Sequence, residues 1–126
     1  MNDQQIESEI QVKGLTAPRV TAQDIENNIV SEHYFTAANG VSDAIWPNKF
    51  PEGCESLELL TFCVLVLRNG FTVTGESTCV SQENFDVEIG RKIARQNAVN
   101  KIWPLMGYAL RDKLNARSQS GADGGG

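Results

Sequence analysis

The residues of this chain that are best suited to bind a ligand lie in one stretch, ENFDVEIGRKIAR, at positions 83–95. Arg91 and Arg95 are four residues apart, so on a helix they are neighbours on one face. Two adjacent guanidinium groups can bind a phosphate through paired, charge-assisted hydrogen bonds. The spacing therefore predicts a phosphate clamp. Pairing of both arginines with carboxylates of the same chain or of another subunit is the open alternative.

Two residues ahead of the arginines could complete such a site. Asn84 and Phe85 lie where the sequence predicts the start of a helix. A helix N-terminus offers free N–H groups and a partial positive charge, both suited to phosphate, and the Asn84 amide could read a base or a ribose. Ordinary capping, with Phe85 as the first core residue, is the alternative.

Aromatic residues and one further arginine are weaker candidates for ligand contact. The run His33-Tyr34-Phe35 could stack on a base or sugar, although Phe35 could equally lie in the core while His33 faces solvent. Arg68 stands at the tip of a predicted hairpin, where arginines are usually only solvated.

Catalytic patterns are weak in this sequence. It has one histidine and no HExxH, GxSxG or P-loop motif. Glu76 could act as a general base, but no partner can be named for it. The three cysteines form no CxxC pair, so we expect reduced thiols and no structural zinc. We predict a protein that is not an enzyme and that has no metal site and no cofactor.

Charge is distributed unevenly along an acidic chain of net charge -5. Residues 1–58 contain ten acidic and three basic side chains, whereas residues 91–117 contain seven basic side chains and one acidic. A net-negative protein binds duplex nucleic acid poorly, but a local phosphate pocket is compatible with this charge. The longest apolar run is shorter than the roughly 20 residues of a membrane helix, and the polar N-terminus is unlike a signal peptide. We therefore expect a cytoplasmic protein.

The pattern of elements predicts a small α+β domain over residues 1–118 and a flexible tail over 119–126. Two short N-terminal helices are predicted: Gly14 ends the first, and Thr21 with Asp24 three residues on is close to a capping box for the second. The strand HYFTAA follows and ends at a turn at Asn39-Gly40, and a loop follows over 41–56. A hairpin forms the centre of a small antiparallel sheet. A long helix starts near Gln82, capped by Ser81, and is broken or kinked at Pro104.

The hairpin and the long helix allow finer predictions. Asn69-Gly70 suits a two-residue type I′ turn. That turn would pair Arg68 with Phe71, Val66 with Val73 and Val64 with Gly75. One helical stripe should pack on the sheet, and it contains Phe85, Ile89, Ile93, Val99 and Trp103. Since the strand LELLTFCVLVL is apolar on both faces, either helices cover both sides or, as we prefer, a second subunit covers one.

Several motifs in fixed order carry a family resemblance. The segments HYFTAANG, LTFCVLVLRNGFTVTGES, ENFDVEIGRKIAR and KIWPLMGYALR resemble a family of small phage and prophage proteins over residues 15–115. The chain is also similar to the phage Thoeris anti-defence sponges. Those proteins bind cyclic ADP-ribose signals without cleaving them, as oligomers with ligand pockets at subunit interfaces, and some hold cyclic oligonucleotides at a second site.

The resemblance implies a homo-oligomer, a dimer or a multiple of it such as a hexamer, in the host bacterial cytoplasm. It implies that the ligand-binding residues lie inside the matching motifs. These residues are Tyr34, Phe35, Arg68, Asn84, Phe85, Arg91, Arg95 and Arg111. The WPNKFPEG loop matches least well, so the choice of nucleotide stays open.

Two other functions remain in view. The protein could inhibit a host protein by direct binding, with its acidic N-terminal half meeting a basic partner. A small hydrolase acting through Glu76 or His33 is the weakest of the three hypotheses.

Overall fold

The computed structural model describes residues 2–15, 17–44 and 55–124, and it is α+β as the sequence predicts. The elements, in chain order, are α1 (Asp3–Val12), α2 (Ala22–Asn28), β1 (Ile29–Thr36), α3 (Ala37–Ala44), β2 (Leu60–Leu67), β3 (Thr72–Thr78) and α4 (Val87–Gly124). Short 3-10 turns, Glu55–Leu59 and Gln82–Asn84, precede β2 and α4. The chain divides into two compact units, one formed by 1–28 with 102–126 and the other by 29–101.

The second unit contains an antiparallel sheet in the order β1-β2-β3. One face of the central strand β2 is buried and contains Thr61, Cys63, Leu65 and Leu67. The other face is half-buried and contains Phe62, Val64 and Val66. This half-buried face is the one that a second subunit would cover. Coverage by a second subunit stays a prediction.

The predicted hairpin register is wrong by one residue. Val73 pairs with Leu65 and Gly75 with Cys63. The turn is closed by a hydrogen bond from Gly70 N to Leu67 O (2.9 Å), and Leu67 N donates to Phe71 O (2.8 Å). Only Gly70, and not Asn69, has positive φ (87°). The connection is therefore a three-residue loop with glycine in the left-handed position, and the extra residue moves Val73 to the buried face.

The predicted start of the long helix is also wrong. Ser81 makes no side-chain capping bond, and a 3-10 turn over Gln82–Asn84 ends at Phe85, whose backbone is extended. The helix α4 begins at Val87, after Asp86 accepts a hydrogen bond from Ile89 N at 3.0 Å. A carboxylate at this position satisfies a free N–H group and complements the helix dipole.

The seam between α4 and the sheet is built from small residues rather than from the predicted stripe. A Cβ placed on Gly75 would lie 2.1 Å from Ala94 O and 2.3 Å from Ala98 N. The backbones are therefore so close that only alanines fit opposite the glycine. Of the stripe, Val99 is buried, whereas Ile89 and Ile93 are 56% and 47% exposed.

The turn predicted at Asn39-Gly40 is instead part of α3. Thr36 Oγ1 accepts a hydrogen bond from Asn39 N (3.2 Å), and Asn39 Oδ1 accepts one from Thr36 N (2.9 Å). This reciprocal pattern is that of a capping box, so Thr36 caps a helix and Asn39 lies in its first turn. Residues 41–44 of the predicted loop are helical, and 45–54 lie outside the described residues.

Other local predictions are confirmed. Thr21 and Asp24 form the predicted capping box of α2, with bonds of 2.9 and 3.0 Å. Gly14 follows α1 with φ of 68°. The helical backbone of α4 continues through Pro104 to Gly124, so the kink and the flexibility of segment 119–126 stay predictions.

Two of the three cysteines fall within the described residues, and both Cys63 and Cys79 are free thiols, as predicted. Among the described helices, none has both the length and the hydropathy that crossing a membrane requires.

Candidate functional site

The helix α4 has two different flanks, one on each side of the face that contacts the sheet. Successive helical residues are about 100° apart, so residues next to Gly90 and Ala94 lie to either side of the sheet contact. We call Ile89 and Ile93 the isoleucine flank, and Arg91 with Arg95 the arginine flank. The arginine flank reaches β1 and the isoleucine flank lies beside the end of β3, as the contacts below show.

The arginine flank meets a tyrosine and a glutamate of β1. The Arg91 guanidinium carbon lies 5.5 Å from the centre of the Tyr34 ring, a cation–π distance. Arg95 Nε donates to Glu32 Oε2 at 3.0 Å, and Tyr34 Oη donates to Glu32 Oε1 at 3.1 Å. Three of the predicted ligand residues are therefore brought together, and two of them, Tyr34 and Arg95, share the carboxylate of Glu32, which was not predicted.

Burial and neighbouring groups alter the acidities in this cluster. Burial, with smaller effects of Cys63 and Glu32, raises the pKa of Tyr34 to about 12. Burial also raises the pKa of the Cys63 thiol, which lies in the register position paired with Tyr34. Both groups therefore stay neutral at physiological pH, and the charges of the cluster are those of Glu32 and the two arginines.

The two arginines differ in how far they are already paired. Arg95 forms an ion pair with Glu32 of the same chain, which is the pairing that the sequence left open as the alternative to a phosphate clamp. Arg91 is exposed, and within the described residues it makes no ion pair. The ring of Tyr34 holds its guanidinium carbon in place while leaving N–H donors for another acceptor. Arg91 is thus the arginine best suited to an external anion.

Asn84 and Phe85 line a second, separate feature. A cavity of about 110 Å³ lies between the start of α4, the 3-10 turn before β2 and the end of β3. Its lining includes Leu59, Cys79, Asn84, Phe85, Asp86 and Ile89. Nucleotide-sized ligands occupy pockets of roughly 300–1,000 Å³, and the Asp86 carboxylate caps the helix N-terminus where a phosphate would bind. In one chain this cavity is therefore too small for a cyclic nucleotide.

The remaining predicted residues are dispersed. Phe35 stacks on Phe62, with centroids 5.5 Å apart, and is 40% exposed on the sheet face opposite α4. Arg68 is exposed at the hairpin tip. Arg111 is exposed on α4 in the other compact unit. The structure therefore does not bring these three residues to the Tyr34–Arg91 cluster within one unit.

The hydrolase hypothesis gains no support from the positions of His33 and Glu76. His33 Nε2 lies 3.1 Å from Ser31 Oγ. Glu76 is on β3, and since β2 separates it from β1, the two strands are about 10 Å apart. In the described part of the chain, no three His, Cys, Asp or Glu side chains are grouped to hold a metal ion.

Comparison with known proteins identifies the group to which this chain is related. The model of the phage protein family described as N4 Gp49/phage Sf6 gene 66 matches residues 20–114. The chain belongs to this family. No curated protein and no solved structure matches it.

The match to the N4 Gp49/phage Sf6 gene 66 family spans the whole sheet, α2, α3 and most of α4, whereas α1 precedes it. Every residue predicted to bind ligand lies within the matched segment. The description of the family specifies phage proteins and no ligand, so a ligand for this member has to be argued from its own residues.

Sequence reasoning missed Glu32, which joins Tyr34 to Arg95. A signal was present, because Glu32 and Tyr34 are two apart on a strand and therefore share a face. It also missed Asn97, whose Nδ2 donates to Glu76 O at 2.8 Å. No local pattern identifies that contact, since 21 residues separate its partners.

Proposed function

We propose that this phage family member is a non-enzymatic sponge that binds and sequesters cyclic ADP-ribose immune signals and thereby blocks Thoeris-type effectors. Cyclic oligonucleotides are a second proposed ligand class. The protein would act as a homo-oligomer in the host bacterial cytoplasm. The supporting observation is the exposed Arg91 guanidinium held over the Tyr34 ring, without a carboxylate partner among the described residues.

The chemistry of this pair fits one end of such a ligand. An arginine that keeps N–H donors exposed can bind a pyrophosphate oxygen, and the Tyr34 ring presents a flat surface to a base. A phosphate could also compete with Glu32 for Arg95. Since the cavity near Phe85 is small, we propose that a second chain completes the nucleotide pocket. A sponge must outcompete an effector, which requires nanomolar binding, about -12 kcal/mol.

Calorimetry with purified protein and a panel of cyclic ADP-ribose isomers and cyclic oligonucleotides tests the proposal. Arg91→Ala should weaken binding by roughly 10- to 100-fold, the loss of one charge-assisted hydrogen bond. Arg91→Lys should recover only part of this loss because lysine cannot bind phosphate through a planar fork. Lys113→Ala, an exposed change in the other unit, is the matched control and should bind as the parent does.

The fate of the ligand separates a sponge from an enzyme. Denaturing the complex should release intact nucleotide, identified by mass spectrometry. Release of a hydrolysed product would contradict the non-enzymatic mechanism. Absence of binding across the panel, or binding that is the same in the Arg91→Ala and Lys113→Ala proteins, would remove the support that Arg91 gives to a sponge.

Inhibition of a host protein by direct contact is the second candidate function. The observation that favours it is the exposed apolar surface at Val80, Val87, Ile89 and Ile93. Affinity purification from infected cells would then yield one host protein in stoichiometric amount, with no nucleotide after denaturation.

A further inference from the structure

The carboxylate of Glu32 lies at the centre of the cluster around Tyr34, and it can still accept hydrogen bonds from a ligand. Its Oε1 atom accepts from Tyr34 Oη at 3.1 Å, and its Oε2 atom accepts from Arg95 Nε at 3.0 Å. An ionised carboxylate offers about four acceptor positions. Within the described residues only these two bonds reach Glu32, and its side chain is 42% exposed. The remaining acceptor positions are therefore available to a donor from solution.

The two partners of Glu32 hold this carboxylate in place. Glu32 and Tyr34 are two residues apart on β1, so both side chains project from the same face of the strand. Tyr34 is half-buried, and the Arg95 side chain is 28% exposed, so packing restricts both partners. The carboxylate is therefore oriented before a ligand arrives, and little conformational entropy remains to be lost when a donor binds.

The groups around the Tyr34 ring follow the order cation, ring, anion. The Arg91 guanidinium carbon lies over the ring, 5.5 Å from its centre, and the Glu32 carboxylate lies beyond the hydroxyl at the edge of the ring. A ribonucleotide carries the complementary groups in the same order. Its 5′-phosphate accepts hydrogen bonds, its 2′- and 3′-hydroxyls donate them, and one furanose ring separates the two. The cluster therefore presents a partner to each end of one nucleotide.

A carboxylate discriminates between sugars in a way that an arginine does not. It accepts hydrogen bonds from hydroxyl groups, and its charge repels a phosphate. In dinucleotide-binding proteins an acidic residue binds a free ribose 2′-hydroxyl, whereas an arginine accommodates a 2′-phosphate. The same physical contrast applies to Glu32, because its exposed oxygens would face the sugar of a nucleotide whose phosphate lies on Arg91.

We infer that Glu32 selects ribose, because its remaining acceptor positions bind the 2′- and 3′-hydroxyls of a nucleotide whose phosphate is bound by Arg91. The ligand class is a ribonucleotide with an unmodified diol. A deoxyribose lacks the donors, and a ribose that carries a 2′-phosphate is repelled. Arg95 and the Tyr34 hydroxyl are positioning groups, which act by holding the Glu32 carboxylate.

This inference rests on the proposed function, since it assigns Glu32 to the same nucleotide site as Arg91. The two proposals can nevertheless fail separately. The site can select ribose in simpler nucleotides even if the protein sequesters no cyclic ADP-ribose. Conversely, a cyclic nucleotide can bind to Arg91 without any contact to Glu32.

Titration of the protein with ADP and with 2′,3′-dideoxy-ADP, followed in ¹H–¹⁵N spectra, tests the contact. The two probes share the base and the pyrophosphate and differ only in the diol. The parent should bind ADP roughly 10- to 100-fold more tightly, which is the effect of a hydrogen bond to a charged group. In Glu32→Ala the preference should disappear. The ratio of the two affinities is the readout, because a released Arg95 would change the binding of both pyrophosphates alike.

Adenosine 2′,5′-bisphosphate measures the repulsion. Glu32→Gln removes the charge and keeps the shape of the side chain, so its affinity for the bisphosphate relative to ADP should rise roughly tenfold. A disturbed fold would weaken both ligands and would not raise this ratio. Glu76→Gln is the matched control. Glu76 is also an exposed strand carboxylate, and it is paired in register with Phe62 on the sheet face opposite α4, so both ratios should stay as in the parent.

Three outcomes would overturn the inference. They are equal affinity of the parent for ADP and dideoxy-ADP, a preference for ADP that persists in Glu32→Ala, and no binding of ADP at millimolar concentration. A preference that is lost in Glu32→Ala and retained in Glu76→Gln would establish Glu32 as the residue that selects ribose. If that preference were found while the panel of cyclic nucleotides failed to bind, the sponge proposal would fall and this inference would stand.

Discussion

Replacing Gly75 with alanine tests whether the close seam between β3 and α4 holds the second unit together. The added Cβ would lie 2.1 Å from Ala94 O, 2.3 Å from Ala98 N and 2.9 Å from the Asn97 carbonyl carbon. All three atoms belong to the helix backbone, so no side-chain rotation can relieve the overlap. The helix must move away by more than about 1 Å to restore ordinary contact.

Such a movement would loosen the buried core of this unit. Leu65, Ala94 and Ala98 are 0% exposed, and each would lose contact on one side. Overpacking of this kind costs about 1–3 kcal/mol, and we expect Gly75→Ala to lie near 3 kcal/mol because rigid backbone is involved. A protein of this size has roughly 5–15 kcal/mol of stability, so the variant should fold but unfold at a clearly lower urea concentration.

Urea unfolding followed by far-ultraviolet circular dichroism measures the change, with Gly107→Ala as the matched control. Gly107 lies within α4, and a Cβ there meets nothing within 4 Å. This substitution should raise stability by about 0.5–1 kcal/mol through helix propensity. A Gly75→Ala protein within about 0.5 kcal/mol of the parent would refute the close approach of the two backbones.

Two further predictions concern the dependence of stability on pH. Arg19 binds Glu7 through bonds of 2.7 and 2.8 Å, and these hydrogen bonds lower the pKa of Glu7 below its ordinary 4.5. The stability that this pair contributes is present above pH 4.5 and is lost as pH falls through the lowered pKa of Glu7. The Glu7→Gln variant should therefore flatten the acid side of a plot of the urea unfolding midpoint against pH. Coincident plots for the parent and the variant would contradict this prediction. Burial raises the pKa of Tyr34 from 10.0 to about 12, so stability should fall as pH rises from 10.0 to about 12, and Tyr34→Phe should reduce that fall. An unchanged alkaline profile in Tyr34→Phe would show that the tyrosine is not buried as described.

Local signals in the sequence predicted the element types well where a side chain acts on its own backbone. The capping box at Thr21 and Asp24 and the glycine after α1 are cases of this kind, and both are confirmed. The same logic failed at Asn39-Gly40, where an Asn-Gly pair suggested a turn. Thr36 and Asn39 form an equally local capping box. The same segment therefore contains one signal for a turn and one for a helix, and the structure has the helix.

The faces of the sheet and of α4 were harder to predict because they depend on contacts distant in sequence. The observed hairpin register differs from the predicted one because the loop has one residue more than predicted, and this places Val73 on the buried face. The helix α4 turns a different face to the sheet than predicted: Ala94 and Ala98 contact it, and Ile89 and Ile93 do not. Hydrophobic periodicity favours the largest side chains as core, but Gly75 allows an approach that excludes them.

For the candidate site, the sequence correctly placed Arg91 and Arg95 on one side of a helix. It could not show that Glu32 binds Arg95, because 63 residues separate the two. That ion pair leaves Arg91 as the main candidate for an external anion.

The hydrogen bond from Asn97 Nδ2 to Glu76 O has a consequence for the behaviour of the protein at high concentration. An outer strand normally presents free carbonyl and amide groups that can template growth of a sheet from one molecule into the next. At Glu76 the carbonyl is already occupied by an amide from the covering helix. Asn97, in the third turn of α4, thus occupies one of the backbone groups along the β3 edge, and that group can no longer template a strand of another molecule.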